Sequence, residues 1–241
     1  FNFALIQAVW RADAIAKLVD EYERALPQGG WPNWVLGNHD QPRIATRIGE
    51  GQARVAAMLL MTLRGTPTMY YGDEIGLQNV PIPLERVQDP WEKNEPGLGL
   101  GRDPCRTPMQ WSAERNAGFS DGEPWLPLSA DYATRNVATL RGDLRAILTL
   151  YRRLIALRHE HPSLSIGDYT PGGVEGDIFW FERRHEDTRF IVALNFSHEA
   201  GMIRVATDKG RVLVSTFLDR ESDVVGPEVA LRGDEGLILA S

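Results

Sequence analysis

The sequence predicts an α/β fold: parallel βα units followed by a small antiparallel β domain of sandwich type. Two observations carry this. Through the N-terminal third, short apolar runs alternate with stretches of helical periodicity, the pattern of βα units and not of an all-helical or all-β chain. After Gly167 the texture changes to short β-rich runs separated by turn residues. With 241 residues, 43% of them hydrophobic and 24% charged, the chain can build one large core or two smaller ones.

Ile15, Leu18, Val19, Tyr22 and Leu26 recur at helical spacing after Asp13, a candidate N-cap, and Pro27 closes that helix. Trp34–Leu36 reads as a short buried strand stopping at Gly37-Asn38-His39-Asp40. From Gln52 to Arg64 a helix is apolar on most sides and ends at Gly65. A second strand is expected from Thr66 to Tyr71, halting at Gly72-Asp73-Glu74. Leu77 to Arg141 is rich in Pro, Gly, Asn and Asp, and a loop of that length inside a compact domain is usually functional. Leu144, Ile147, Leu148, Tyr151, Leu154 and Ile155 then mark an amphipathic helix running to about Glu160, before Pro162. Strands are expected at Ile178–Glu182, Phe190–Phe196, Met202–Val205, Arg211–Phe217 and Leu237–Ala240.

A formal net charge of -7 repels phosphate backbones and anionic lipid, so neither a nucleic-acid nor a membrane-surface role is expected. The one cysteine, Cys105, excludes an internal disulfide and offers no thiol cluster for zinc. Its use fits a reducing, cytoplasmic setting, and the chain begins at Phe1 without a Met. The apolar stretch Val55–Leu63 is far too short to span a bilayer.

In a barrel of parallel strands, functional side chains gather at the C-terminal strand ends, which is where Asn38, His39 and Asp40 fall. Taken alone the tripeptide is a weak signal and reads more readily as an ordinary polar turn. Three blocks give it context. Trp34-Val35-Leu36-Gly37-Asn38-His39-Asp40-Gln41-Pro42-Arg43 resembles the block that ends the seventh barrel strand of glycoside hydrolase family thirteen, the α-amylase family. Gly65-Thr66-Pro67-Thr68-Met69-Tyr70-Tyr71-Gly72-Asp73-Glu74-Ile75-Gly76 resembles its eighth strand and exit. Arg106-Thr107-Pro108-Met109-Gln110-Trp111, followed by Asn116-Ala117-Gly118-Phe119 and Trp125-Leu126-Pro127, is similar to the loop typical of α-glucosidases, oligo-1,6-glucosidases and sucrose-acting relatives.

The resemblance implies the C-terminal part of a TIM-type (β/α) barrel over residues 1–166, with Phe1-Asn2-Phe3 ending the sixth strand, and a C-terminal β-sandwich domain over 167–241. It implies a retaining, exo-acting α-glucosidase that takes terminal α-linked glucose from short oligosaccharides. Asp40 would be the third catalytic carboxylate, gripping sugar hydroxyls and favouring the distorted ring. His39 would bond the same hydroxyls, and Arg106 would meet the far hydroxyl of a terminal glucose. For Arg106 a structural pairing with Asp103 or another loop carboxylate stands as the alternative. Arg43 and Gln41 are assigned to the cleft rim as substrate contacts, or to a solvated turn. Asp73 and Glu74 are read as anchors of a turn, and Tyr70, Tyr71 and Cys105 as packing or loop residues.

In this family the nucleophile is an Asp after the fourth strand and the acid/base a Glu after the fifth. Both lie upstream of the matched blocks, so these residues by themselves are expected to fold poorly and hydrolyse nothing. No cofactor or metal ligand set is expected within them. Trehalose synthase, a sucrose-acting relative and a non-enzymatic barrel homologue are the competing readings; retention of His39, Asp40 and Arg106 speaks against the last.

Overall fold

The computed structural model describes residues 2–241. Phe1, placed by the sequence at the end of a strand, lies outside the described residues. The elements in chain order are α1 (Ala4–Gln7), α2 (Ala12–Ala25), β1 (Asn33–Val35), α3 (Ile44–Thr62), β2 (Thr66–Thr68), α4 (Pro90–Asn94), α5 (Val137–Arg141), α6 (Ile147–Glu160) and α7 (Pro162–Ser165). Then come β3 (Asp168–Glu175), β4 (Ile178–His185), β5 (Thr188–Asn195), β6 (Gly201–Arg204), β7 (Gly210–Ser215), β8 (Val224–Val225), β9 (Glu228–Leu231) and β10 (Gly236–Ala240). The chain is mixed α/β, as its sequence predicts.

Two compact units partition the contacts. One holds the chain up to Leu36, Gly51–Thr68 and Leu150–Ser241; the other holds Gly37–Glu50 and Met69–Thr149.

In the first unit β1 and β2 pair in parallel, Trp34 opposite Pro67, and Asn2 bridges to Trp34 in the same sense. Parallel pairing needs a crossover, and α3 supplies it. Trp34 is fully buried, its indole N–H donating to Arg64 O at 2.6 Å and its ring edge-on to Tyr22. Two expectations for the helices are corrected. The N-cap of α2 is Arg11, without a side-chain cap; Asp13 sits in the first turn, where its charge meets the positive helix end, and pairs with the Arg11 guanidinium. Helix α3 is two helical pieces, a short one from Ile44 and, after a break at Gly49, whose φ of 82° and ψ of 165° only glycine adopts without strain, the helix expected from Gln52, which ends at Thr62 instead of Arg64. The expected strand to Tyr71 also ends early, at Thr68.

The C-terminal segment is antiparallel, as expected. Six strands lie in the order β3-β4-β5-β10-β7-β8, and β6 pairs separately with β9. Ile203, Val229 and Leu231 of the small sheet share a core with Ile178, Ile191, Ala193, Leu237 and Leu239 of the large one, so the two sheets are layers over one core. The large sheet's other face is covered too: α7 packs on β4 and β5, and α2 on β3 and β4. A strand covered on both faces reads as a continuous apolar run, which is why Phe190–Leu194 was legible. Strand β3 was not, because Pro171, Gly172 and Gly173 read as turn; it is an edge strand with a register shift at those residues, where Pro and irregularity are tolerated.

The carboxyl end of α3 is closed by two buried arginines. Arg158 donates to the carbonyls of Met61, Leu63 and Gly65, and Arg183 to those of Thr62, Leu164 and Gly167. Cations there satisfy the orphan carbonyls and complement the negative helix end.

Candidate active site

All the candidate residues lie in the second unit, on the segments that follow β1 and β2. After Val35 the chain leaves the sheet through Leu36 and turns at Asn38, whose side chain accepts from the Asp40 amide at 2.9 Å. That turn holds His39 and Asp40 outward, each with an exposed side chain. Asp40 Oδ2 faces His39 Nε2 at 3.4 Å. Its Oδ1 accepts from Arg106 Nη2 at 2.9 Å and from Arg102 Nη1 at 3.2 Å. Arg106 also donates through Nε to His39 O at 2.7 Å, so it spans both residues of the turn. Of the two pairings left open for Arg106, the loop carboxylate it meets is Asp40, not Asp103.

Arg102 and Arg106 flank a single 3-10 turn, Asp103–Cys105, which sets both guanidinium groups toward Asp40. Sequence reasoning passed over Arg102. The signal was present as two arginines four residues apart around Asp103-Pro104-Cys105, but its meaning depends on Asp89, a residue distant in sequence. Arg102 grips the buried Asp89 through Nε at 2.7 Å and Nη2 at 3.0 Å, and its amide donates to the same carboxylate at 2.8 Å. Those bonds, the Arg102 guanidinium first among them, hold Asp89 well below the usual carboxylate range and raise the pKa of Arg102.

Arg43 does not line the rim. It is fully buried, with Nη1 donating to Tyr71 O at 2.5 Å and its Cζ 4.8 Å and 4.5 Å from the ring centres of Tyr70 and Tyr71. A guanidinium stacks on aromatic faces while its edge stays available to a carbonyl, so two adjacent tyrosines draw it inward. Gly72, at φ 89°, makes room: a Cβ there would sit 2.8 Å from Arg43 Nη1. Gln41, by contrast, is exposed.

Asp73 and Glu74 anchor the turn, as the sequence suggests. Asp73 Oδ2 accepts from the Tyr70 amide at 3.3 Å and Glu74 from the Gly72 amide at 2.7 Å, which bends the chain before Tyr70 and Tyr71 can extend the strand. Burial pushes the Asp73 carboxyl up to about 7, against the pull of Arg43. Cys105 is buried beneath the turn, its Sγ 3.4 Å from His39 O, and burial raises its thiol pKa. The long loop is therefore built, with Tyr70 and Tyr71 hydroxyls donating to Cys105 O and Thr107 O.

Against Arg106 opens a cavity of about 380 Å³ walled by Tyr71, Glu74, Met109, Trp111, Phe119 and Trp125. Among the described residues no three His, Cys, Asp or Glu side chains are grouped to hold a metal ion, and no helix is long and apolar enough to cross a membrane.

The family model described as alpha amylase, catalytic domain, matches residues 2–167. A probable alpha-glucosidase of Rhizobium meliloti is 35% identical over 218 residues, 86% of this chain and 39% of the relative. The oligo-1,6-glucosidase of Parageobacillus thermoglucosidasius is 33% identical over 222 residues, 81% of this chain and 39% of the relative. Among solved structures, the trehalulose synthase MutB of Pseudomonas mesoacidophila MX-45 superposes with a TM-score of 0.84 at 27% identity, over 95% of this chain and 46% of that one. The chain thus spans about two fifths of the length of these curated relatives. With more than half of its residues matched by the family model, and relatives above 30% identity along most of its length, the chain belongs to the alpha-amylase catalytic-domain family.

Proposed function

We propose that this chain forms the sugar-gripping part of a retaining, exo-acting α-glucosidase, on a (β/α) barrel whose border with the C-terminal β domain falls at residues 166 and 167. The observation that carries the reading is the convergence of Arg106, Arg102 and His39 on Asp40 at the exit of a parallel strand. The transition state of glycoside cleavage is oxocarbenium-like, and hydrogen bonds to the ring hydroxyls strengthen as the ring flattens. Asp40 supplies negative charge and acceptor oxygens for those hydroxyls, while His39 and Arg106 supply donors. In this assignment Asp40 is neither nucleophile nor acid/base. The aromatic walls beside Arg106 suit the apolar faces of a saccharide, with few polar groups fixing orientation.

The likeness to trehalulose synthase supports a second reading, transfer or isomerisation of a sucrose-like substrate. The glucosidases are the more similar in sequence, at 33–35% against 27%, so hydrolysis is preferred.

Titrating the isotope-labelled full-length protein with methyl α-glucopyranoside and its β anomer tests the assignment. Amide shifts centred on His39, Asp40 and Arg106 are expected for the α anomer, weakened about tenfold or more in Asp40→Asn. Shifts elsewhere, or an unchanged affinity in the variant, would remove Asp40 from the sugar site.

A further inference from the structure

His198 is the exposed end of a hydrogen-bonded row that runs inward to α3. It sits in the turn between β5 and β6, and Asp234 sits opposite it in the turn between β9 and β10, with His198 Nδ1 3.0 Å from Asp234 Oδ1 and 2.9 Å from Oδ2. The two turns are locked to each other. The Asp234 amide donates to Ser197 O at 2.8 Å, and the buried Asn195 side chain donates to Glu199 O at 2.7 Å and to Arg232 O at 2.9 Å. Imidazole and carboxylate therefore face each other on a fixed frame, and little side-chain freedom is lost when they bond.

Asp234 has a second duty. Its Oδ1 accepts from the side-chain amide of Gln52, at the start of the second half of α3, and the carboxyl packs on Gly51, where a Cβ would sit 2.8 Å from its Cγ. A negative charge is favourable at that end of a helix. Gln52 in turn donates to Asn195 O at 3.2 Å and accepts from the Trp10 indole N–H at 2.7 Å, while the Trp10 ring meets that of Phe196 at 4.8 Å between centres. His198, Asp234, Gln52 and Trp10 thus join two strand turns, α3 and the segment before α2 through one carboxylate.

Of these four, His198 is the member that changes charge near neutral pH. Its bond to Asp234, then the charge of Asp234 and that of Glu199, raise its pKa from the ordinary 6.5. The neighbouring charges are engaged elsewhere: Arg232 with Asp219 and Glu235, Arg220 with Glu235, Arg54 with Thr216 O, and Arg11 with Asp13.

We propose that His198 is a pH-operated clasp between the C-terminal strands and α3. Protonated, it fixes Asp234 over Gly51 and Gln52 by a charge-assisted bond; neutral, it keeps an uncharged bond only, and the row slackens. A histidine whose folded pKa is raised contributes stability that is fully present below its ordinary 6.5 and lost as pH rises through the folded value, so the joint is tightest in mild acid. The clasp is independent of the sugar-site reading.

Nuclear magnetic resonance of the full-length protein tests it. The His198 ring signals should titrate with a midpoint above the ordinary 6.5, falling back in Asp234→Asn. The Trp10 indole N–H and the Gln52 side-chain amide should shift with the same midpoint. His198→Gln replaces an exposed side chain and keeps the fold, and in it both signals should stay flat between about pH 5.5 and about pH 8.5. Thermal unfolding gives the second reading: His198→Gln should unfold at a lower temperature than the native protein at about pH 5.5, the gap should close at about pH 8.5, and it should vanish at both in an Asp234→Asn background. A His198 midpoint at or below the ordinary value, a Trp10 signal that does not follow His198, or a gap of equal size at both pH values overturns the proposal.

Discussion

Replacing Arg183 by methionine is expected to cost roughly 3–5 kcal/mol of unfolding free energy. The side chain is fully buried, and its bonds run to the main-chain oxygens of Thr62, Leu164 and Gly167. Methionine fills much the same volume but leaves those carbonyls dry and unpaired, and each unpaired buried polar group costs about 1–3 kcal/mol. It also removes the positive charge facing the end of α3. Arg183→Lys should recover little of the loss, since three diverging carbonyls suit a planar fork and not a point charge. Urea unfolding of the three proteins measures this; a methionine variant within about 0.5 kcal/mol of the native chain would show that water replaces the guanidinium without loss.

Asp73→Asn is expected to remove a pH dependence instead of a contact. The folded-state pKa of Asp73 is about 7 against an ordinary 3.8, raised mainly by burial. A carboxyl whose folded pKa is raised contributes stability fully present below about pH 4 and lost as pH rises through about 7. Roughly three pH units at about 1.4 kcal/mol each set a ceiling near 4 kcal/mol. Because only the two units between pH 5 and pH 7 count over this interval, the native protein should be less stable at pH 8 than at pH 5 by about 3 kcal/mol, before other groups are counted. Asparagine keeps the shape and carries no charge, so the variant should lose this slope and be the more stable protein at pH 8. An unaltered slope in Asp73→Asn would assign the effect to another group.

The sequence was most informative where local chemistry decides the outcome. His39 and Asp40 stand at the end of a strand that an apolar run marks, and Asn38 fixes their turn through a bond only two residues long. The helices α2 and α6 and the buried strands followed from periodicity. What escaped was set by partners far along the chain. Arg43 reads as a polar residue in a turn, and only the fold brings Tyr70 and Tyr71 around it. Asp89 and Arg102 are unremarkable in a loop without periodicity; their role appears when the loop closes on Asp40. The edge strand β3 and the short β9 failed for a milder reason, since few residues and a glycine-proline cluster leave no pattern to read.

The way α3 is shared has an evolutionary consequence. Its second half belongs to the same compact unit as β3–β10, and Arg158 and Arg183 reach it from beyond the long loop. Domain shuffling is usually pictured as the exchange of self-sufficient modules. Here a recombination event at Gly167 would hand the recipient a β-sheet without the helix whose terminal Thr62 carbonyl Arg183 meets. Such a hybrid inherits a buried cation facing foreign backbone, so crossovers that survive should carry α3 and the C-terminal strands together.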